Sequence, residues 1–302
     1  MKYIFLSMFL STCICINGME IKENKPSVAT LKCLQGIKDF NKTMVKEAFS
    51  EGADINYVDE NGNSLFSLAA DLAAGIHNRN IIKKNMSILK LVVSQKNIDP
   101  FTRNLNNCTP LHIACQFGII DTIKEILKKA PAVLTYQTKL GFTPLHTAVY
   151  LDQIEAINLL LSHDKKIINA QDYEGETPLH MACAERDFNI ISLLIDNGAC
   201  TTIKSNSQQT PLYILHSVCF AQDYPVDTLS SEKLEMFLKD NPFIVEKLIH
   251  ATDEHNNNQF HLCTTLNLDG YRVFQRYLHF LVAKKISMHS RNKDGKRPID
   301  LI

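Results

Sequence analysis

The chain has 302 residues, of which 45% are hydrophobic and 8% aromatic, so it can bury a continuous core. Its 32 basic and 32 acidic side chains leave a formal net charge of zero. A nucleic-acid-binding domain is expected to carry a clear basic excess, so this composition argues against that class of function.

The first eighteen residues are predicted to be an export signal. Lys2 precedes an apolar run of about fourteen residues, which is too short to span a membrane and suits a signal peptide. Cleavage is expected after Gly18 because Gly is small, and residues 19–26 are then a short linker. The alternative is a buried first helix, but the run has no polar face.

Lipidation of Cys13 is a second alternative for the N-terminus, and it would anchor the protein to a membrane. We do not expect it, because the preceding Thr12 is large for that kind of cleavage site. The signal instead predicts an exported protein, located in the periplasm, outside the cell or in a host cell. No other segment of the sequence is predicted to span a membrane.

Residues 27–56 are predicted to form a pair of helices. Apolar residues at helical spacing, Val45, Ala48 and Phe49, lead to Gly52, which is a typical residue for ending a helix. A turn near residue 59 and the sequence Ser64-Leu65-Phe66-Ser67-Leu68-Ala69 then predict the start of a further helix pair.

The tetrapeptide Thr-Pro-Leu-His is the most informative pattern in the chain. It begins at Thr109, Thr143 and Thr177, and a weaker copy begins at Thr210, which gives intervals of 34, 34 and 33 residues. Thr can cap a helix and Pro suits the first helical position, so each copy predicts a helix start. An apolar stretch at helical spacing follows each of the first three copies, for example Ile123, Ile126 and Leu127.

The residues before each Thr predict exposed turns. Gly141 and Gly175 are expected to have a positive φ. Asp172, Asn104 and Thr138, which begin three of these turns, can form local hydrogen bonds with the backbone.

Two intervals between repeats are longer than the others. The spacing from Ser64 to Thr109 is 45 residues and that from Thr210 to Asn258 is 48 residues. The surplus falls near residues 75–86 and 221–240, and insertions in a repeat array are expected on its surface. Degraded copies of the repeat begin near residues 253 and 292.

These motifs and their period closely resemble the ankyrin-repeat family. The resemblance predicts an all-α solenoid of stacked helix-turn-helix units over residues 27–302, with β-hairpin finger loops at the turns. In this prediction residues 27–56 are an N-terminal cap, repeats start near residues 59, 104, 138, 172, 205 and 253, and residues 292–302 are a truncated cap. Neighbouring repeats must stack, because one helix pair cannot bury both of its faces.

Ankyrin-like arrays bind other proteins, so the resemblance implies a non-catalytic, monomeric protein that binds a partner protein through its concave face and fingers. Exported ankyrin proteins occur in bacteria that live inside other cells, which implies an effector or scaffold role. The register of the family places thirteen residues at the finger tips and on the facing side of the first helices: Arg103, Leu105, Gln116, Phe117, Lys139, Leu140, Phe142, Tyr150, Leu151, Tyr173, Glu174, Met181 and Glu185.

Several of these residues are large and apolar where exposure favours small polar ones, which is typical of an interaction site. Phe142, Tyr150 and Tyr173 are expected to be exposed. For Phe117 and Leu151, exposure at the binding surface and packing against the adjoining repeat are equally expected.

The histidines His112, His146, His180 and His261 occupy equivalent positions, and a metal site is the functional alternative for them. Stacked helices lie about 8–10 Å apart, whereas two nitrogens on one zinc ion lie within about 4 Å. We therefore expect no metal, and the family resemblance implies a bond from each His to its own turn.

The nine cysteines are expected to be buried small hydrophobic residues rather than disulfides or nucleophiles. Cys115 and Cys183 share one repeat position two repeats apart, roughly 20 Å, which is beyond disulfide reach.

No sequence pattern for a phosphate loop, a catalytic triad or a cofactor site is found, so an enzyme is not expected. Two alternatives remain: catalytic or substrate-recruiting chemistry in the insertions at residues 75–86 or 221–240, and a lipid-anchored structural protein.

Overall fold

The computed structural model describes residues 25–59, 64–74, 87–92, 95, 97–104, 106–220, 252, 255–259, 261, 286–287 and 289–301. The chain divides into two compact units, residues 1–139 and residues 140–302. Within the described residues the secondary structure is helical, apart from an isolated antiparallel bridge between Val58 and Ser64.

The first unit begins with two helices that pack against each other, α1 (Val28–Lys38) and α2 (Lys42–Ser50). Each has a side-chain cap: the Ser27 hydroxyl accepts a hydrogen bond from the Thr30 N–H, and the side-chain Oδ1 of Asn41 accepts one from the Met44 N–H. These caps satisfy N–H groups that lack a partner inside the helix.

The rest of the first unit packs onto this pair. Helix α3 (Leu65–Ala74) contacts α1 and α4 (Pro110–Gln116), and residues 87–92 are also helical. Helix α5 (Ile120–Lys129) contacts α4 and continues into a 3₁₀ turn, Pro131–Thr135. One hydrophobic cluster in the core of this unit consists of the following buried residues: Cys33, Ile37, Val45, Ala48, Ile55, Leu65, Phe66, Ala69, Ile88, Leu89, Val92, Ile98, Cys108, Ile113 and Ile119.

In the second unit, helix pairs stack on one another. Helix α6 (Pro144–Tyr150) is followed by α7 (Ile154–His163) and a 3₁₀ turn, Lys165–Asn169. Helix α8 (Pro178–Glu185) packs against α6, against its own partner α9 (Phe188–Asp196) and against α10 (Pro211–Phe220). A short 3₁₀ turn, Pro298–Leu301, lies near the C-terminus.

The Thr-Pro-Leu-His motif starts helices α4, α6 and α8, as predicted. At α6 the Thr143 hydroxyl accepts a hydrogen bond from the His146 N–H, and the Thr143 N–H donates to His146 Nδ1 at 3.2 Å. Thr177 and His180 form the same reciprocal cap at α8. This capping box satisfies two N–H groups at once, and a buried Leu follows in each motif.

The cysteines at the shared repeat position, Cys115 and Cys183, are buried, as predicted. Burial raises the pKa of the Cys33 thiol to about 12 and that of Cys115 further still. Cys200 is a partial exception because it is only half-buried.

The β-hairpins implied by the family resemblance are not confirmed at the finger turns. In the best described of them, the Asp172 N–H donates to the Glu176 carbonyl at 2.9 Å, which closes the turn without forming paired strands.

Several sequence predictions fall outside the described residues: the export signal at residues 1–18, Cys13, Leu105, and the two insertions at residues 75–86 and 221–240. Among the described helices, none has the length and apolar character needed to cross a membrane.

Candidate partner-binding surface

The exposed turns share one backbone conformation. In every turn whose fourth position the structure describes, the residue there has a left-handed φ between 58° and 83°. The predictions for Gly141 and Gly175 are confirmed, with φ of 83° and 74°. The residues at this position are Asn107, Gly141, Gly175, Gln208, Asn256 and Gly295.

A polar side chain at the first position stabilises the turn. Asp172 Oδ1 accepts hydrogen bonds from the N–H groups of Glu174 at 2.9 Å and Glu176 at 2.8 Å. Asn104 Oδ1 accepts the equivalent bonds from Asn106 at 3.0 Å and Cys108 at 2.8 Å. The predicted local bonds of Asp172 and Asn104 are therefore confirmed, and they hold each turn in one conformation.

Within the second unit, neighbouring turns are hydrogen-bonded to each other. The Tyr173 N–H donates to the Leu140 carbonyl at 3.3 Å. On the other side, the Asn206 N–H donates to the Glu174 carbonyl and Asn206 Nδ2 donates to the Tyr173 carbonyl, both at 2.8 Å. Three successive turn tips therefore lie side by side.

Two of these tips carry large apolar side chains in solvent. Tyr173 is 60% exposed and Leu140 is 47% exposed. Glu174 and Asn206 are also exposed. We call the group formed by Leu140, Tyr173, Glu174 and Asn206 the turn patch.

Other predicted binding residues are less accessible than the sequence suggested. Met181 is only 6% exposed, because it lies in α8 where that helix packs against its neighbours, so its predicted place on the binding surface is wrong. Phe142 is half-buried, and its ring stacks on that of His146 with centroids 5.8 Å apart, so it is not exposed as predicted. Tyr150 is half-buried as well, and burial together with the nearby Glu185 carboxylate raises its pKa.

The remaining predicted residues divide into two groups. Arg103 and Lys139, both in the first unit, are exposed. Phe117 packs against the core of the first unit, which favours the packing alternative for this residue. The other residues with described positions are half-buried: Gln116, Leu151 and Glu185.

The sequence interpretation missed a surface cluster in the first unit. The Arg103 guanidinium lies over the Tyr136 ring at 4.6 Å from its centroid, and the Phe101 ring lies 6.0 Å from that of Tyr136. Phe101 is itself exposed. The sequence did contain a signal for this cluster, because Phe101 and Tyr136 each come shortly before one of two successive turns. They were missed because they lie outside the turn positions that the family register assigns to the finger tips.

The repeated histidines connect successive turns. His146 Nε2 lies 3.1 Å from the Glu176 carbonyl, and His180 Nε2 lies 3.1 Å from the Gln209 carbonyl, each in the following repeat. His261 makes the same contact with the Lys296 carbonyl. The predicted bond of each histidine to its own turn is confirmed for all four: His112, His146, His180 and His261. The second bond, to the next turn, was not predicted.

The pKa of His146 and that of His180 are both lowered to about 4, mainly because the two side chains are buried. Both ring nitrogens of each side chain are engaged in hydrogen bonds. Within the described part of the chain, no group of three or more potential metal ligands comes together.

The turn that carries Tyr173 is acidic. Asp172, Glu174 and Glu176 lie within five residues, and the pKa of Asp172 and of Glu176 is raised, first by burial and then by the neighbouring carboxylates. Among the described residues, the Glu174 and Glu176 carboxylates form no ion pair.

Comparison with known protein families agrees with this architecture. A model of three ankyrin repeats matches residues 78–172, and a single-repeat model matches residues 174–206. No curated protein matches the chain. Ankyrin repeats are generally protein-protein interaction modules and are typically non-catalytic. The chain therefore carries ankyrin repeats over residues 78–206.

Proposed function

We propose that this chain is a non-catalytic binding protein whose turn patch docks on another protein. The observation that carries the proposal is the exposure of Tyr173 and Leu140 on two adjacent turns joined by a backbone hydrogen bond. Exposed apolar groups that form one patch are typical of interaction sites, and Tyr is enriched among the residues that contribute most to binding.

The rigidity of the turns supports the same proposal. The Asp172 carboxylate holds its own turn, and Asn206 bonds to the backbone of that turn from the next repeat. Side chains on a pre-ordered backbone lose less conformational entropy on binding, so more of their contact energy contributes to affinity.

Replacing both Leu140 and Tyr173 with Ala is expected to reduce partner binding at least tenfold and to change the melting temperature little. Loss of one central aromatic contact costs about 1–2 kcal/mol or more in typical interfaces, and 1.4 kcal/mol is tenfold in affinity. The measurement is selection of a random peptide-display library on the full chain, followed by binding of the enriched pool to the wild type and to the double variant.

The matched control is Ile154→Ala, because Ile154 is a similarly exposed apolar residue, at 46%, on α7 of the same unit. The pool should bind this control as it binds the wild type. Failure to enrich any pool, or equal binding of the pool to the Leu140/Tyr173 double variant, would contradict the proposal.

We also propose that the protein is exported through its N-terminal apolar run. The support is in the sequence: one basic residue, Lys2, then about fourteen apolar residues and the small Gly18. Mass spectrometry of the protein recovered from a secreting bacterial host should give an N-terminus at Met19. An intact Met1 in the cytosolic fraction, or a lipid on Cys13, would contradict cleavage at this site.

A further inference from the structure

We propose that the turn patch takes a positively charged segment of its partner, in which Lys or Arg side chains flank an apolar or aromatic residue. This inference rests on the proposed function and names the chemistry of the partner at the same site. Three observations support it: the distribution of charge along the chain, the acidic surroundings of Tyr173, and a second carboxylate beside Tyr150.

Although the net charge of the chain is zero, its charged residues are unevenly distributed along the sequence. Residues 140–220 contain nine acidic and four basic side chains, a net charge of −5, whereas residues 25–139 contain fifteen basic and ten acidic ones, a net charge of +5. The segment that presents Leu140 and Tyr173 is therefore the acidic one. Complementary charge steers a partner to a surface and disfavours partners of the same sign.

Two acidic groups follow the exposed Tyr173 in the same turn. Glu174 follows Tyr173 at the tip of the turn, and Glu176 lies two residues further on. Their carboxylates form no ion pair among the described residues, and the turn places them near Asp172, whose carboxylate is committed to backbone N–H groups. Burial first, and then repulsion among these three groups, raises the pKa of Asp172 and of Glu176. A cation bound beside Tyr173 would relieve that repulsion.

Three of the four basic side chains of this segment lie away from the turns that form the patch. Lys165 and Lys166 lie in the 3₁₀ turn after α7, and Arg186 follows the end of α8. Lys204 comes just before the turn that begins at Ser205. Lys139 is an exposed cation that directly precedes Leu140 in the chain, and its N–H bonds to the Asn106 carbonyl.

A second acidic group lies beside another aromatic residue of the predicted binding surface. Tyr150 ends α6 and Glu185 ends α8, and the two helices pack against each other. Glu185 is close enough to Tyr150 to contribute to the raised pKa of its phenol. Aromatic rings next to carboxylates attract Lys and Arg through their faces as well as through charge.

The test uses three synthetic peptides of equal length, each with one central Trp flanked by Lys, by Ser or by Glu. Binding to the full chain is measured by fluorescence anisotropy at low and at high salt. The Lys peptide should bind at least tenfold more tightly than the Glu peptide, and its affinity should fall at high salt because screening weakens interactions between exposed charges.

Changing Glu174→Gln together with Glu176→Gln should weaken binding of the Lys peptide about fivefold, since contacts with charges at a protein surface contribute up to about 1 kcal/mol each. The control is Glu155→Gln together with Asp196→Asn, which removes two exposed carboxylates from α7 and α9 and changes the net charge equally. This control variant should bind the Lys peptide with nearly the same affinity as the wild type.

Equal weakening by the two double variants would show an effect of net charge alone and would overturn the assignment to this site. Equal affinity for the Lys, Ser and Glu peptides, with binding that still depends on Leu140 and Tyr173, would overturn the preference for cations while leaving the binding function intact. If no peptide binds, the charge proposal is overturned, and the library selection then decides separately whether the turn patch binds protein at all.

Discussion

Acidification from pH 7 to about 4 is expected to destabilise the second unit by about 3 kcal/mol for each of His146 and His180. Burial lowers the pKa of both side chains to about 4, from the ordinary value of 6.5. A difference of one pKa unit corresponds to about 1.4 kcal/mol between the two protonation states.

The hydrogen bonds explain why the fold requires neutral imidazoles. Because the Glu176 carbonyl can only accept, His146 Nε2 must carry the proton and donate it. Nδ1 is then the acceptor for the Thr143 N–H. A second proton on Nδ1 would place two donors against each other at the start of α6, and His180 has the same arrangement at α8.

The direction of the effect follows from the pKa values. Between pH 6.5 and about 4 the unfolded chain binds a proton at each of these histidines and the folded chain does not. Stability is therefore fully present above pH 6.5 and decreases as the pH falls towards 4. Asp172 and Glu176 act in the opposite direction, because a raised pKa means that their protonation favours the fold.

The decisive measurement is a comparison of variants by urea unfolding at several pH values. His146→Gln should lower the stability at pH 7 and make its decline between pH 6.5 and 4 shallower than in the wild type. The control His163→Gln changes an exposed residue of α7 and should leave the decline unaltered. An identical pH dependence in the wild type and in His146→Gln would show that the buried imidazole does not control acid stability.

Local motifs allowed the sequence to predict the helix starts and much of the core. Thr143 and Pro144 specify a helix start through their own chemistry, and a buried Leu145 follows at fixed spacing. The positive φ of Gly141 was predictable in the same way, because it depends on a short turn. These features repeat with the period of the array, so each copy reinforces the interpretation of the others.

Features that depend on contacts between elements were not predicted. Met181 has an exposed register position in the family, but the packing of α8 against its neighbours buries it. Phe142 stacks on His146, and this contact depends on side-chain orientation. The second bond of His146, to the following turn, requires the distance between repeats, which the sequence does not contain.

The residues other than Gly that adopt a left-handed φ in the turns were also not predicted from the sequence. Asn107, Gln208 and Asn256 adopt the conformation that Gly141 and Gly175 have, although a side chain makes it less favourable. Hydrogen bonds around the turn maintain this backbone: in one case the Ser205 N–H donates to the Gln209 carbonyl at 2.9 Å. A sequence rule that looks only for Gly misses half of these positions.

Replacing Gly141 with Ala is expected to destabilise the second unit by about 3 kcal/mol. Its φ is 83°, and a left-handed conformation costs a residue with a side chain about 1–2 kcal/mol. A Cβ atom at this position would lie 2.3 Å from the Tyr173 nitrogen and 2.9 Å from the Asp172 carbonyl carbon. Both are backbone atoms that cannot rotate away, and overpacking of this kind typically costs about 1–3 kcal/mol more.

Gly198→Ala separates these two contributions. Gly198 also has a left-handed φ, of 94°, but a Cβ atom there would meet nothing within 4 Å. This control should therefore cost only about 1 kcal/mol in the same unfolding experiment. If Gly141→Ala and Gly198→Ala lose the same free energy of unfolding, the turn that carries Tyr173 must shift easily enough to accommodate the new Cβ atom.

The Gly141 variant also connects stability with the proposed function. The backbone that its Cβ would displace is that of Tyr173, whose N–H bonds to the Leu140 carbonyl. Displacement would separate the two apolar side chains of the turn patch, so Gly141→Ala should weaken peptide binding even under conditions where the chain remains folded, whereas Gly198→Ala should not. Because neither substitution removes a side chain of the patch, a difference in affinity between them would indicate that binding depends on the hydrogen-bonded spacing of the turns as well as on the exposed residues themselves.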